Sequence, residues 1–193
     1  MLSWYERDPD AALDWTSGLP AGPAHDGAIK GVCEGIAKLD PEQAAAFVAR
    51  MPAGDLQSQA AAAVASHWAE SDIAAAAAWV AAFPEGTTRQ KAAADLIYRW
   101  AALYNPSAPA HWLEQLPPGP TRDAAARSFV SRSAGEAPEL AAPWINAFND
   151  ERERNTQIER IARRWLKEDP EAGRRWLEQT SLPDERKQKL LGK

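Results

Sequence analysis

Histidine and cysteine are the residue types in this chain best suited to metal binding or nucleophilic catalysis. The histidines, His25, His67 and His111, have no metal-ligand spacing with one another or with a pair of carboxylates. Cys33 is the single cysteine, which excludes an intrachain disulfide and a cysteine-based metal cluster. Nucleophile elbows, glycine-rich phosphate loops and zinc signatures are absent from the sequence. We therefore predict no catalytic residue, no bound metal and no cofactor, and a protein that is not an enzyme.

The overall charge narrows the class of partner. The chain of 193 residues has 22 Lys and Arg against 27 Asp and Glu, a formal net charge of −5. A general nucleic-acid-binding protein has a basic surface, so we expect no nucleic-acid partner. We expect no membrane partner either, because no apolar run approaches the roughly 20 residues that span a bilayer. We expect a soluble protein, with the cytoplasm favoured and the periplasm or secretion left open in case a signal peptide was removed.

Tryptophan is unusually abundant, with nine residues against four Phe and three Tyr, and all nine fall on two regularly spaced rows. A series of prolines, with one isoleucine, recurs from Pro9 to Pro170 in steps of 32 residues and one step of 33. One row follows this series by six residues, and the other stands shortly before it. The first row is Trp15, Phe47, Trp79, Trp112, Trp144 and Trp176, and the second is Trp4, Ile36, Trp68, Trp100, Ser133 and Trp165.

The two rows allow two interpretations. Regularly spaced tryptophans would suit a groove for sugars or proline-rich peptides. They share a helical phase with the buried aliphatic positions, however, which favours packing in the core. Cys33 stands among small apolar residues of the same kind, where a free cysteine is typically a buried small hydrophobe.

Each period of the series is predicted to hold two helices. A short polar residue precedes the series position and suits a helix N-cap, and proline suits the first helical residue. Proline ends the first helix in segments such as "GLP" and "AFP", and a glycine two residues further on allows a sharp turn. A second helix, rich in alanine, follows. The units are predicted to start near Asp8, Asp40, Asp72, Asn105, Ala137 and Asp169.

In its proline-to-aromatic spacing, its helix-turn-helix unit and the small residues of its second helix, the chain resembles the tetratricopeptide-repeat (TPR) class over essentially its whole length. Its unit of 32 residues is shorter than the roughly 34 of that family, and the Leu-Gly and Tyr of the family's first helix are absent. The resemblance is therefore to a TPR-like helical repeat of bacterial type. It implies an all-α fold, an α-α superhelix (solenoid) of about five to six tandem helix-turn-helix repeats in a single domain over residues 1–193. Because Trp4 matches the end of a second helix, we expect the chain to be part of a longer array, with a degenerate cap that begins at Met1 as the alternative.

The resemblance also implies a scaffold that binds a protein or peptide along the concave face of its first helices. Residues opposite the first-helix core are mostly acidic or small, which predicts an acidic groove with an alanine patch and a basic or amphipathic partner. Acids near a helix N-terminus also complement the helix dipole, and the apolar helix in "SDIAAAAAWVAAF" is expected to be covered by neighbouring helices, with a partner as the alternative. The predicted partner-binding residues are Asp14, Ala46, Ala78, Ala81, His111, Glu114, Arg175 and Glu178.

Other functions compete with this one. The alanine patch would also suit self-association, in a structural spacer or oligomerisation segment of a larger protein. A helical-repeat enzyme would need a buried carboxylate or histidine cluster. A nucleic-acid binder would use an arginine row, Arg99, Arg132 and Arg164, that is better explained by the helix dipole. Residues 133–151 break the pattern, with Pro143 expected to kink a helix, and are either a functional place or simple drift.

Overall fold

The computed structural model describes residues 4–192, and the regular secondary structure within that range is entirely helical. The all-α prediction is therefore confirmed. The chain divides into two compact units, Met1–Trp100 and Ala101–Lys193. The first unit contains α1 (Trp4–Arg7), α2 (Pro9–Ser17), α3 (Pro23–Ala37), α4 (Pro41–Arg50), α5 (Asp55–Trp68), α6 (Ile73–Ala82) and most of α7 (Thr87–Leu103). The second contains α8 (Ser107–Gln115), α9 (Pro120–Ser133), α10 (Pro138–Ala141), a 3-10 helix (Ala142–Ala147), α11 (Glu151–Glu168), α12 (Pro170–Gln179) and α13 (Asp184–Leu190).

Aspartate N-caps start the short helices at the places that the sequence predicts. Four carboxylates each accept a hydrogen bond of 2.9–3.0 Å from the backbone N–H three residues further on. Loss of such a cap costs about 1 kcal/mol. Asn105 differs from these four residues. Its side-chain oxygen accepts from the N–H of Ser107, only two residues further on, at 2.8 Å, and α8 begins at Ser107. The four capping aspartates are Asp8, Asp40, Asp72 and Asp169.

Glycine turns lead from short helices into longer ones. Helices α3 and α9 begin directly after Gly22 and Gly119, each with a φ of 153°. A residue with a Cβ reaches this φ only under strain, so glycine is required there. The predicted turn signal is therefore confirmed at both positions.

Small residues form the centre of the first unit. Helix α3 packs against α2, α4 and α5, and α5 packs in turn against α4 and α6. Cys33 of α3 is fully buried, as predicted, and Ala60, Ala61 and Ala65 of α5 have no exposed surface. Because alanine adds little bulk, α5 is covered on several sides at once.

The tryptophans are less buried than core packing predicts. Trp68 is 8% exposed, whereas Trp4 and Trp15 are 44% and 49% exposed, and the other six are half-buried. Tryptophan is rarely enclosed completely because of its size, so these rings lie at the margin of the core. The two rows meet in aromatic pairs with ring centroids 5.6 Å apart for Trp4 and Trp15, 6.0 Å for Trp68 and Trp79, and 5.7 Å for Trp165 and Trp176.

Pro143 interrupts a helix of the second unit, as the sequence predicts. Helix α10 ends at Ala141, and Ala142–Ala147 continues as a 3-10 helix. The interruption is thus a change of helix type, which suits a proline that removes a helical N–H donor. Arg127 donates a hydrogen bond of 2.9 Å to the carbonyl of Ala147 and holds the chain where the glycine turn signal is missing.

Gly173 allows α12 to lie directly on α11. A Cβ at this position would stand 2.8 Å from the backbone nitrogen of Leu166, closer than real Cβ atoms come. Apolar side chains from α9 to α12 and the segments between them form the core of this unit. The largest of them are Val130, Ile145, Phe148, Ile158, Ile161 and Leu177.

Candidate partner-binding surface

The eight predicted partner-binding residues all have exposed side chains. In the first unit they lie on α2, α4 and α6, which bury Ala12, Val48 and Val80 on another face. In the second unit they lie on α8 and α12, which bury Leu113 and Leu177. The exposed set is Asp14, Ala46, Ala78 and Ala81 in the first unit, and His111, Glu114, Arg175 and Glu178 in the second.

A side-chain hydrogen bond joins two of these helices in the first unit. Nε2 of Gln43 on α4 donates to Oδ1 of Asp10 on α2 at 3.1 Å. Asp14 lies one turn beyond Asp10, and Ala46 one turn beyond Gln43, so each shares a helix face with a bonded residue. The bond therefore brings the predicted residues of α2 and α4 onto one continuous surface.

In the second unit, the charges of the predicted set are partly balanced within the chain. Nδ1 of His111 lies 3.3 Å from a carboxylate oxygen of Glu114. The guanidinium of Arg175 lies 4.0 Å from the carboxylate of Glu171. The exposed surface of α8 and α12 is accordingly mixed in charge, and the acidic character is clearer in the first unit.

Helix α6 leaves one face of small apolar side chains uncovered. Its Ala76, Ala77 and Val80 are buried, whereas four other alanines of the helix are exposed. The expectation that neighbouring helices cover α6 all round is therefore wrong for the part of the chain that the structure describes. Contiguous exposed apolar surface is typical of a site that binds another molecule. The exposed alanines are Ala74, Ala78, Ala81 and Ala82.

Two grooves lie where short helices of the first unit end and the chain turns into the longer ones. The Trp79 groove, of about 760 Å³, lies between the turn at residues 51–55 and the turn at residues 83–87. The Phe47 groove, of about 700 Å³, is lined by α2, α3, α4 and the same turn at residues 51–55. The shared turn makes the two grooves neighbours, and both volumes lie within the roughly 300–1,000 Å³ typical of ligand pockets.

The Trp79 groove has apolar walls. Trp79 and Phe83 meet edge to face, with ring centroids 5.0 Å apart, and Met51 also lines the groove. Ala49 and Ala82 are exposed and add little bulk to the wall. The groove therefore offers space for a large apolar side chain beside two aromatic rings.

Three uncharged polar side chains that line the Trp79 groove, those of Gln57, Ser58 and Thr88, form hydrogen bonds with one another and with the backbone. Nε2 of Gln57, a residue only 8% exposed, donates to the carbonyls of Val48 at 3.2 Å and Met51 at 3.1 Å. The hydroxyls of Ser58 and Thr88 lie 2.8 Å apart. Because buried polar groups are stable only when they are hydrogen-bonded, this network fixes the end of α4 against the starts of α5 and α7.

The grooves lie outside the predicted set, apart from Asp14 in the Phe47 groove. The sequence does contain a sign of them. Gln57 precedes the buried Ala60 and Ala61 by three and four residues and so stands in the core phase of α5. A polar residue in the core phase needs a partner inside the protein, and here that partner is the wall of the groove.

Carboxylates outnumber basic groups around both grooves. The Trp79 groove has two acidic residues and no basic one among its lining residues in the described chain. The Phe47 groove has three acidic residues beside Arg50 and His25. An acidic rim around apolar walls favours a ligand that is both apolar and positively charged. The acidic residues are Asp55 and Glu85 in the Trp79 groove, and Asp10, Asp14 and Asp55 in the Phe47 groove.

The groups that would suit nucleophilic catalysis or nucleic-acid binding are either buried or paired with another residue of the chain. Burial, with a smaller effect from the charge of Glu34, raises the pKa of Cys33 to about 12, so its thiol is not ionised at neutral pH. The arginines of the predicted row each pair with a glutamate, and such compensated charges offer little to an anion. The pairs are Arg99 with Glu70 at 2.5 Å, Arg132 with Glu136 at 2.6 Å, and Arg164 with Glu168.

The part of the chain that the structure describes holds neither a metal-binding cluster nor a membrane-spanning helix. Between positions 4 and 192, no three His, Cys, Asp or Glu side chains are grouped closely enough to hold a metal ion. No helix in this range combines the length and the apolar character that crossing a bilayer requires.

Known proteins do not assign this chain to a family. Neither a protein-family model, nor a curated protein, nor a solved structure matches the chain significantly. The fold defines an all-α protein in which short and longer helices mostly alternate. Its function is therefore inferred from the exposed short-helix faces and from the two grooves beside them.

Proposed function

We propose that this protein is a non-catalytic interaction module that binds a basic or amphipathic segment of another protein along the exposed faces of its short helices. The architecture proposed with this role is an α-solenoid of about five to six TPR-like repeats, in which each helix pair stacks on its neighbours. Affinity is then distributed over several helices, with the first unit contributing the acidic and alanine-rich part.

The observation that carries this proposal is the uncovered alanine face of α6. Its exposed side chains are small and uncharged, so an approaching helix or strand can make close contact with them. Ala82 of this face also lines the Trp79 groove, and exposed Asp14 on α2 lines the Phe47 groove. A segment with one apolar face and several basic residues matches this combination, as in helix-in-groove recognition.

A structural spacer or oligomerisation segment is the second candidate function. The same alanine face would suit a second copy of the chain, because two-fold dimers place a surface patch against itself. Such a contact would also bring the acidic rims of the two copies together, and like charges across an interface are unfavourable. The charge of the grooves therefore favours a partner of different sequence.

A random peptide library tests the proposed function. Peptides roughly a dozen residues long are selected by display against the whole chain, and their Kd is measured by fluorescence anisotropy. The selected peptides should combine basic and apolar residues. Ala78→Arg should weaken their binding about tenfold, whereas Gln59→Arg, at an exposed position of α5, should leave it unchanged.

Charge reversal and self-association complete the test. The triple variant Asp14→Lys, Glu114→Lys, Glu178→Lys should bind these peptides more weakly and with less dependence on salt. Unchanged binding by the triple variant would contradict the acidic surface. Sedimentation velocity at several concentrations distinguishes the second candidate. A dimer that Ala78→Arg dissociates, with no peptide selected, would overturn the proposal in its favour.

A further inference from the structure

We infer that the Trp79 groove is the anchor site of this surface, and that its occupant is a long apolar side chain with lysine or arginine beside it in the partner. This inference rests on the proposed function, because it names the chemistry that the short-helix surface selects. The volume of the groove, its apolar walls, its bonded polar groups and its charge lead to the same occupant.

The space and the walls call for a large apolar anchor. The groove of about 760 Å³ opens beside Ala49 and Ala82, both exposed, so a side chain from outside can reach it. Once inside, that side chain contacts Trp79, Phe83 and Met51. Binding energy at protein interfaces is concentrated in anchors of this kind, which lose water on entering a well-packed pocket.

The hydrogen-bonded side chains of Gln57, Ser58 and Thr88 disfavour an uncharged polar anchor. Both bonds of the Gln57 side-chain nitrogen go to backbone carbonyls of the turn region. Ser58 donates to the carbonyl of Gly54 at 2.9 Å, and Thr88 lies within hydrogen-bonding distance of both Ser58 and Gln57. An uncharged polar side chain entering the groove would lose its water without gaining an equivalent partner from these three residues. An apolar one loses nothing of this kind.

The same bonded network makes the groove preformed. It connects the end of α4, the start of α5 and the start of α7, which are the elements that bound the groove. A ligand entering a preformed site avoids the entropy cost of ordering its walls. The groove is therefore suited to bind a single anchor side chain strongly.

The acidic rim selects cations beside that anchor. Asp55 is exposed in the first turn of α5 and lines both grooves. Glu85 adds a second carboxylate to the lining of the Trp79 groove. An elongated partner that continues over the shared turn reaches Asp10 and Asp14 in the Phe47 groove. One apolar anchor flanked by basic residues satisfies both sites.

Methionine labelling reports on binding at the two grooves, and the groove-specific variant Ala82→Trp then identifies the Trp79 groove. The chain has two methionines, Met1 and Met51, and Met51 lines both grooves. With ¹³C-methyl methionine, a selected peptide should shift the Met51 signal, which is assigned with the variant Met51→Leu. The probe is the tightest-binding peptide from the random library, together with versions in which its apolar residue is replaced by alanine or its basic residues by glutamine.

Two pairs of matched variants test the anchor and the charge separately. Ala82→Trp places a large side chain in the groove and should weaken peptide binding by at least about tenfold. Ala102→Trp, at an exposed position near the end of α7 and outside both grooves, should leave binding unchanged. Asp55→Asn should weaken binding about threefold and reduce its salt dependence. Asp123→Asn, in the first turn of α9, is its control. Circular dichroism and urea midpoints confirm that each variant is folded.

The outcomes separate this inference from the proposed function. Selected peptides that bind Ala82→Trp as tightly as the parent chain and leave the Met51 signal unchanged would overturn the inference, while the short-helix surface would still be a peptide-binding site. Failure to select any peptide, or selection of acidic peptides, would overturn the proposed function and the inference with it. Loss of binding with Ala82→Trp and with the alanine-substituted peptide supports both.

Discussion

The side-chain amide of Gln57 donates a hydrogen bond of 3.1 Å to the backbone carbonyl of Met51. The same nitrogen donates to the carbonyl of Val48 at 3.2 Å. Both carbonyls lie at the end of α4, where backbone acceptors often lack a full set of helical donors, and the Val48 carbonyl also accepts from the backbone N–H of Met51 at 3.1 Å. Gln57 of α5 thus caps the preceding short helix and holds the turn at residues 51–55, which lines both the Trp79 groove and the Phe47 groove.

Gln57→Leu should therefore destabilise the protein. It removes the side-chain donor from the carbonyls of Met51 and Val48, of which Val48 keeps the bond from the backbone N–H of Met51. The expected cost is about 1–3 kcal/mol in the free energy of unfolding. Urea unfolding followed by circular dichroism measures the change. The control is Gln59→Leu, exposed on the same helix, which should change stability by less than about 0.5 kcal/mol. Equal losses in the two variants would contradict the capping role.

Features that depend on local chemistry could be predicted from the sequence. An aspartate followed by proline starts a helix at Asp8, Asp40 and Asp169 because the cap bond involves residues only three positions apart. Pro143 interrupts its helix for an equally local reason. The exposure of Asp14 and Ala78 follows from helical phase in the same way.

Features that depend on the distance between elements could not be predicted in this way. The Trp79 groove is the space between two turns that are about 30 residues apart in the chain. Trp15 and Trp68 also show this limit, since both belong to the same repeating pattern but are 49% and 8% exposed.

This difference in burial predicts a difference in stability between two tryptophan variants. Trp68→Ala should cost about 3–5 kcal/mol, because it removes a buried indole and leaves a cavity. Trp15→Ala should cost clearly less, about 1–2 kcal/mol, because half of its surface already contacts water. Urea unfolding curves of the two variants, recorded under identical conditions, give the comparison. A Trp15 loss as large as the Trp68 loss would mean that Trp15 is covered in solution.

Two glycine-to-alanine substitutions should change the stability of the protein in opposite directions. Gly173→Ala places a Cβ 2.8 Å from the backbone nitrogen of Leu166 and forces α11 and α12 apart, at a cost of about 1–3 kcal/mol. Gly31→Ala, in the middle of α3, meets nothing within 4 Å and should stabilise the protein by about 0.5–1 kcal/mol through its better helix propensity. Thermal unfolding of both variants checks the signs. A neutral Gly173→Ala would contradict the close helix crossing.

Cys33 should make stability depend on pH in the alkaline range. Its pKa is about 12 in the folded chain against an ordinary value of 9.0. Well below pH 9.0 the thiol is protonated in both states and contributes no pH dependence. Between these two values the unfolded chain loses the proton while the folded chain keeps it, so stability falls as pH rises, by up to about 1.4 kcal/mol per pH unit.

The variant Cys33→Ala isolates this effect from the titration of lysine and tyrosine. Urea unfolding is measured at about pH 8 and about pH 10.5 for both proteins, and the parent chain should lose about 1–2 kcal/mol more than the variant between the two conditions. Comparing the two losses cancels the constant cost of the smaller side chain. Equal losses would mean that the thiol ionises in the folded protein. The close packing of α3 against α5, which gives Cys33 no exposed surface, would then have to open readily in solution.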